Sequence, residues 1–311
     1  MARGSAGETS LRKHLRIIEA FDAQHLFLNL TEIAAAAGLA KSSAHRLVSE
    51  LVREGLLERM PDRSYRLGVR LWEFGSRTPG GLGLRELSRP WLNAVHERVG
   101  QHAQLGVLSG HDILFIERLS TPDAVINATL IGGRMPAYSS SGGLVLLAHT
   151  DDTVVDDIID AGIRPLTPHA ISSGPELRAA VARVRSSGFA VTDGYIHPDS
   201  RGIAVPVRTT QGAVVASMSV VVPNDGHVTA PFVELLQWAA MRTARSLDAA
   251  YHPGSIGEPA HPRAALFAGV SDKSLAYLES LAATTGTPSG IPRVKQFHSR
   301  ELSSRPVCGH R

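Results

Sequence analysis

The sequence has a single cysteine, Cys308, in 311 residues. One thiol excludes an intrachain disulfide and a cysteine-built metal site, and it agrees with a reducing compartment. No stretch reaches the length of an apolar membrane helix. The opening residues MARGSAGETSLRKHL lack the apolar core of a secretion signal, so a cytoplasmic protein is expected. There are no internal repeats. There is no G-x-S-x-G frame for a nucleophilic serine. The glycines of residues 80–86 (GGLGLRE) follow no strand, which argues against a dinucleotide loop and for a linker. His96, His102 and His111 span a helix, a loop and a hairpin turn, the wrong layout for a metal site. Neither a catalytic residue nor a cofactor or metal is expected. Nor is the chain a polycation, since its net charge is only +3.

What is present reads as a globular protein, with 43% apolar and 20% charged residues and enough length for two domains. Charge is unevenly placed. Residues 1–78 carry 12 Lys/Arg against 9 Asp/Glu, residues 79–250 carry 13 against 16, and residues 251–311 carry 7 against 4. A basic front ahead of an acidic middle fits a nucleic-acid module joined to a domain of another kind.

Residues 10–23 space Leu11, Leu15, Ile18 and Phe21 as a helix, with Ser10 placed to cap it. A second helix is predicted over Thr31–Ala37, stopped by Gly38, and a third over Ser42–Glu54, stopped by Gly55. Two short strands, Leu56–Arg59 and Ser64–Leu67, flank a Pro-Asp turn. Helix, helix, tight turn, helix and hairpin is the order of a winged helix-turn-helix. On the third helix Ala44, Leu47, Val48, Leu51 and Val52 form the inner stripe. Ser42, Ser43, His45, Arg46 and Ser49 face outward, where the groove of double-stranded DNA would lie. Lys41 and the hairpin residues Arg59, Arg63 and Arg66 are candidates for phosphates, with Tyr65 either packing or donating at the backbone.

Residues 75–83 read as a linker and Arg85–Val99 as an inter-domain helix. Beyond it, strands are predicted at Ala103–Ser109, Asp112–Arg118, Ala124–Leu130, Ala190–Asp193, Ile203–Thr209 and Ala213–Val222. Helices are predicted at Ser141–His149, Asp152–Ala161, Pro175–Ser187 and Ala230–Tyr251. This mixture is an α+β domain around an antiparallel sheet. The resulting division is a DNA-binding domain at 1–78, a linker and helix at 79–100, an effector-binding domain at 101–251 and a largely disordered tail at 252–311. The tail holds 6 Pro, 6 Gly and 8 Ser, too polar and broken for a core.

Two places in the second domain read as ligand-facing. Ser140 and Ser141, followed by Gly142 and Gly143, open an apolar helix, where free amides and hydroxyls suit an anion and glycine permits close approach. On 213–222, alternation puts Ser217 and Ser219 on one face and Ala216, Met218 and Val220 on the other. The serines either line a pocket or satisfy hydrogen bonds within the sheet. Asp193 either fixes a ligand hydroxyl or starts a turn.

The segment TEIAAAAGLAKSSAHRLVSELVREGLLERMPDRSYRLGVRLWEFG resembles the DNA-binding half of IclR-family transcriptional regulators. The resemblance continues through LSRPWLNAVHERVG and GFAVTDGYIHPDSRGIAVPVRTTQGAVVASMSVVVP, covering about residues 10–250 and sparing the tail. It implies a GAF-like effector domain, a homodimer or homotetramer on an operator, and a small-molecule effector, typically an organic or aromatic acid. It also implies effector contacts at Ser140, Ser141, Gly142, Gly143, Asp193, Gly202, Ser217 and Ser219. The chain departs from the family pattern at Leu144, Tyr195, Asp199 and Gly202, which implies a bulkier, more apolar ligand than a simple keto acid, or a sensor that has lost its ligand.

Overall fold

The computed structural model describes residues 8–22, 25–76 and 81–251. The expectation of a disordered tail at 252–311 lies outside them, as does part of the 75–83 linker.

The first domain begins with α1 (Ser10–Glu19), α2 (Leu30–Ala36) and α3 (Lys41–Arg53). Thr9, not Ser10, caps α1 by accepting the Arg12 amide. Asn29 caps α2 in a reciprocal box with Glu32, satisfying two amides that the helix itself leaves open. Gly38 sits at φ 58°, a left-handed turn that a β-carbon would strain, and it allows α3 to start within three residues. The wing is β1 (Leu57–Arg59) paired antiparallel with β2 (Tyr65–Leu67). Leu28 bridges to Tyr65 on the free side of β2. Ile17, Phe21, Ile33, Leu47, Leu51, Leu57 and Tyr65 form one core.

One expectation is corrected here. Leu11 and Leu15 do not join that core and remain exposed; α1 seats itself through Ile17 and Phe21. A short helix, α4 (Val69–Gly75), follows the wing and buries none of its residues.

Next comes α5 (Gly81–Val99), which begins earlier than predicted and so takes in the supposed linker glycines. It contains Pro90, whose missing N–H removes one rung of the helix ladder. The sheet is built from β3 (His102–Ser109), β4 (Asp112–Leu119), β5 (Arg134–Pro136), β6 (Ala190–Asp193), β7 (Ser200–Arg208) and β8 (Val214–Pro223). Its order is β5-β4-β3-β8-β7-β6, antiparallel throughout. The predicted strand at 124–130 is not one. Residues 120–133 form a loop instead, because β5 takes the place beside β4.

The strand alternation read from β8 holds. Ala216, Met218, Val220 and Val222 pack with Leu84, Leu92 and Val95 of α5 and with Leu236 and Ala239 of α9 (Ala230–Tyr251). Trp91 fixes α5 to α9 edge-on against Trp238 and by an indole N–H donated to Ser246. The opposite face carries α6 (Ser141–Leu147), α7 (Asp152–Ala161) and α8 (Gly174–Ser187) over a second apolar cluster.

Candidate DNA-reading surface and effector cavity

Lys41, Ser42, Ser43, His45, Arg46 and Ser49 are all exposed along α3, while Ala44, Leu47, Val48 and Leu51 are buried. No side chain caps α3, so its first amides stay open beside Lys41. Arg46 donates to Glu50 at 2.6 Å, and Glu50 also accepts from His14 at 2.9 Å. The other ring nitrogen of His14 faces the Ser10 carbonyl at 2.7 Å. These bonds, the one from His14 foremost, hold the Glu50 carboxyl below its usual range. Helix α3 is thus tied to α1 through Glu50, which also holds Arg46. The hydroxyl of Ser49 is spent on the His45 carbonyl at 2.8 Å.

The wing residues divide. Arg59 and Arg63 are exposed and have no ion pair among the described residues; Arg63 sits at φ 69° in the turn. Arg66 is engaged by Glu58 at 2.7 Å. Tyr65 is buried in the core, so of its two sequence readings the structure places it in packing.

In the second domain one small cavity lies between the sheet, the start of α6 and the 194–200 turn. Its walls include Gln104, Phe115, Thr129, Ser140, Ser141, Gly142, Thr192, Tyr195, Gly202, Ser219 and Val221. Five of the predicted effector residues therefore meet there: Ser140, Ser141, Gly142, Gly202 and Ser219. At each of the three glycines a β-carbon would crowd a neighbour. A methyl on Gly202 would lie 2.7 Å from the Thr192 hydroxyl and 2.8 Å from that of Ser141. One on Gly143 would strike the Ala137 carbonyl, so Gly143 serves the packing of α6 and does not line the cavity.

Ser217 lies beneath Gly142, with only a long bond of 3.5 Å to the Gly106 carbonyl, and is not in the wall. Asp193 points away from the cavity and holds Arg201 at 2.5 Å, because its neighbour Thr192 takes the inward position of the four-residue strand β6.

The polar groups of the wall are unusual in having few partners. Gln104, Ser141 and Ser219 are 2%, 4% and 3% exposed. Neither serine hydroxyl, nor the amide oxygen of Gln104, has a hydrogen-bond partner among the described residues, although the Gln104 amide nitrogen donates to Thr129. Buried polar groups are almost always paired, and these three line one space where a polar guest or a water can pair with them. The space itself is about 20 Å³, one water's worth. No acid, base or histidine stands in the wall. Burial raises the Tyr195 phenol above its usual range and keeps it a neutral donor.

Gln104, Phe115, Thr129 and Thr192 escaped the sequence reading. They come from strands and a loop far apart in the chain, which long-range pairing across the sheet brings together. His96, His102 and His111 each have a separate partner: His96 bonds the Gln101 carbonyl, His102 the Val125 carbonyl, and His111 lies near Asp157. Among the described residues no group of three potential metal ligands occurs, and no helix is long and apolar enough to cross a membrane.

A winged helix-turn-helix on one chain with an α+β domain that encloses a polar-lined cavity defines a DNA-binding transcriptional regulator with a sensing domain. The chain belongs to the IclR family. Residues 10–61 match the IclR helix-turn-helix domain, and residues 79–248 match the bacterial transcriptional regulator IclR C-terminal domain. An IclR homolog from Microbacterium hydrocarbonoxydans, solved in complex with 4-hydroxybenzoate, is similar at 37% identity and a TM-score of 0.74, covering 78% of this chain and 100% of that one. The HTH-type transcriptional regulator XynR of Escherichia coli is 30% identical over 243 residues, 76% of this chain and 96% of its own. The Pca regulon regulatory protein of Pseudomonas putida is 29% identical over 214 residues, 68% of this chain and 73% of its own.

Proposed function

We propose that this regulator binds a small aromatic acid in the cavity under α6 and changes its hold on an operator in response. The observation that carries the reading is that the Ser141 and Ser219 hydroxyls and the Gln104 amide oxygen, on buried residues and without a hydrogen-bond partner among the described residues, line one space walled by Phe115, Tyr195 and Val221. Flat apolar walls suit a ring, and neutral hydroxyl and amide groups suit its polar substituents. The homologue's 4-hydroxybenzoate is the first acid to test. With no acid or base in the wall, the effector is bound and released unchanged, and the domain is a sensor with no catalytic role.

On the DNA side, Ser42, Ser43, His45 and Arg46 read base edges in the major groove, while Lys41, Arg59 and Arg63 hold phosphates. The domains divide the work as residues 1–78, which read DNA, and 101–251, which bind effector, with 79–100 between them. A second copy completes the operator complex. Its contact is the exposed apolar surface of Val69 and Trp72 on α4 and of Leu11 and Leu15 on α1, which a lone chain leaves in water. The protein works in the cytoplasm, where its DNA is.

The test is a gel shift with the promoter fragment beside the protein's own gene, with and without 4-hydroxybenzoate. A sequence-specific shift whose midpoint moves with the acid is expected. Absence of a specific shift at moderate salt refutes the operator reading. A specific shift indifferent to a panel of aromatic acids refutes the effector reading.

A further inference from the structure

We propose that Glu117 is the positioning residue through which the state of the cavity reaches α5, an inference that rests on the reading above that the effector enters this cavity. The space there is about 20 Å³, whereas a ring the size of benzene occupies a cavity of about 150 Å³. Binding therefore has to move a wall. The start of α6 is locked, since Gly142 and Gly143 are already at the limit of approach to Ile113 and Ala137. Strands β7 and β8 are bonded on both edges. Two strands of the wall lack a full outer partner, the edge strand β6 and the end of β4. The outer neighbour of β4, β5, pairs only with Asp112–Leu114, so from Phe115 onward β4 is supported on that side by the loop end at Gly132 and Gly133 alone. Of the two, the Phe115 side is the one whose strand runs on to a contact with α5.

Past Phe115 the strand is irregular. Gly106 lies opposite Phe115 but Leu105 lies opposite Glu117, so Ile116 is an extra residue, a β-bulge. In a regular strand, residues two apart share a face. Here the bulge turns Glu117 to the other side of the sheet, in register with Leu105, which packs under α5. There its side chain is 3% exposed and holds Arg85 at 2.9 Å and Arg89 at 3.9 Å. Its second oxygen accepts the Arg118 amide at 3.1 Å. Arg85 and Arg89 are one helical turn apart on α5, the element that joins the DNA-reading domain to the sheet. A buried carboxylate deprived of its partners is costly, so a shift of Phe115 moves α5 with it rather than breaking this contact.

The test compares full-length wild type with Glu117→Gln, reading 4-hydroxybenzoate affinity by calorimetry and promoter-fragment affinity with and without the acid. The expected result is effector affinity within about twofold of wild type, together with a loss of most of the acid-induced change in DNA affinity; Glu117→Asp, which keeps the charge, restores part of it. Should Glu117→Gln fail to fold, the paired change of Glu117 and Arg85 to methionine strands no charge and serves instead. A full DNA response in any folded variant lacking the Glu117 charge overturns the proposal. So does loss of effector binding, which would make Glu117 a support of the cavity alone. A ligand-free cycle of Phe115→Ala with Glu117→Gln decides the matter even if the wild type ignores the acid: non-additive effects on DNA affinity support the link, and additive effects overturn it. Failure of the aromatic-acid reading is thereby separated from failure of this one.

Discussion

Replacing Ser219 by alanine should make the protein more stable and less responsive at once. Ser219 is 3% exposed, and its hydroxyl has no hydrogen-bond partner among the described residues. A buried polar group left unpaired costs about 1–3 kcal/mol. With room for about one water shared by three such groups, the lower end of that range applies, and alanine recovers about 1 kcal/mol. For a domain of this size that is a rise in Tm of about 2–4 °C. The opposite sign is expected for effector binding. A hydrogen bond to an ionised carboxylate is worth about 1.5–3 kcal/mol, so the affinity for 4-hydroxybenzoate falls by about tenfold or more. Calorimetric titration and thermal denaturation of the same preparation read both quantities. Ser217→Ala is the internal control: it sits beneath Gly142, outside the wall, and should leave effector affinity unchanged. A destabilised Ser219→Ala protein that binds the acid as before would show that the serine serves the sheet, and the argument from unpaired groups would fail.

Three further outcomes are expected from the geometry. Arg46→Ala should weaken operator binding by about 1–3 kcal/mol and relax base preference in a binding-site selection, yet barely alter stability, because its exposed pair with Glu50 is worth at most about 1 kcal/mol; a sequence-blind loss would demote Arg46 to a phosphate contact. The Glu50 carboxyl is lowered in the fold, so its contribution to stability is complete above its ordinary value of 4.5 and is lost as pH falls through the lower folded value; urea titrations of wild type and Glu50→Gln should differ at neutral pH and converge in acid, and a constant gap across that range contradicts the His14–Glu50–Arg46 clamp. Trp72→Lys places a charge on the exposed α4 surface and should shift the protein toward monomer in sedimentation; its stability within one chain should change by less than about 0.5 kcal/mol, and an unchanged mass refutes the α4 contact.

Some of this architecture is written plainly in the sequence. The inner stripe of α3 and the two faces of β8 are long enough for their periods to decide which residues point inward. Short elements are different. In β6, four residues long, nothing local says whether Thr192 or Asp193 faces the cavity; pairing with β7 decides it. The apolar residues at 124–130 alternate like a strand, yet they form a loop fastened by side chains, with Gln101 accepting the Val125 amide and His102 bonding its carbonyl. Leu11 and Leu15 have core spacing and lie in water, because amphipathic spacing reports a face that wants covering and not what covers it. The cavity was half legible: its serines and glycines sit in compact motifs, but Gln104, Phe115 and Thr129 reach it only through long-range pairing.

The small size of the cavity also bears on time. A guest larger than one water cannot enter by encounter alone, so the wall must open first, at a rate that belongs to the protein. At low effector concentration the observed binding rate should rise in proportion to concentration. At high concentration it should level off at the opening rate, far below the diffusion limit. The delay between the arrival of an acid in the cell and a change at the promoter is then set by how often β4 yields, and added effector shortens that delay only up to this ceiling.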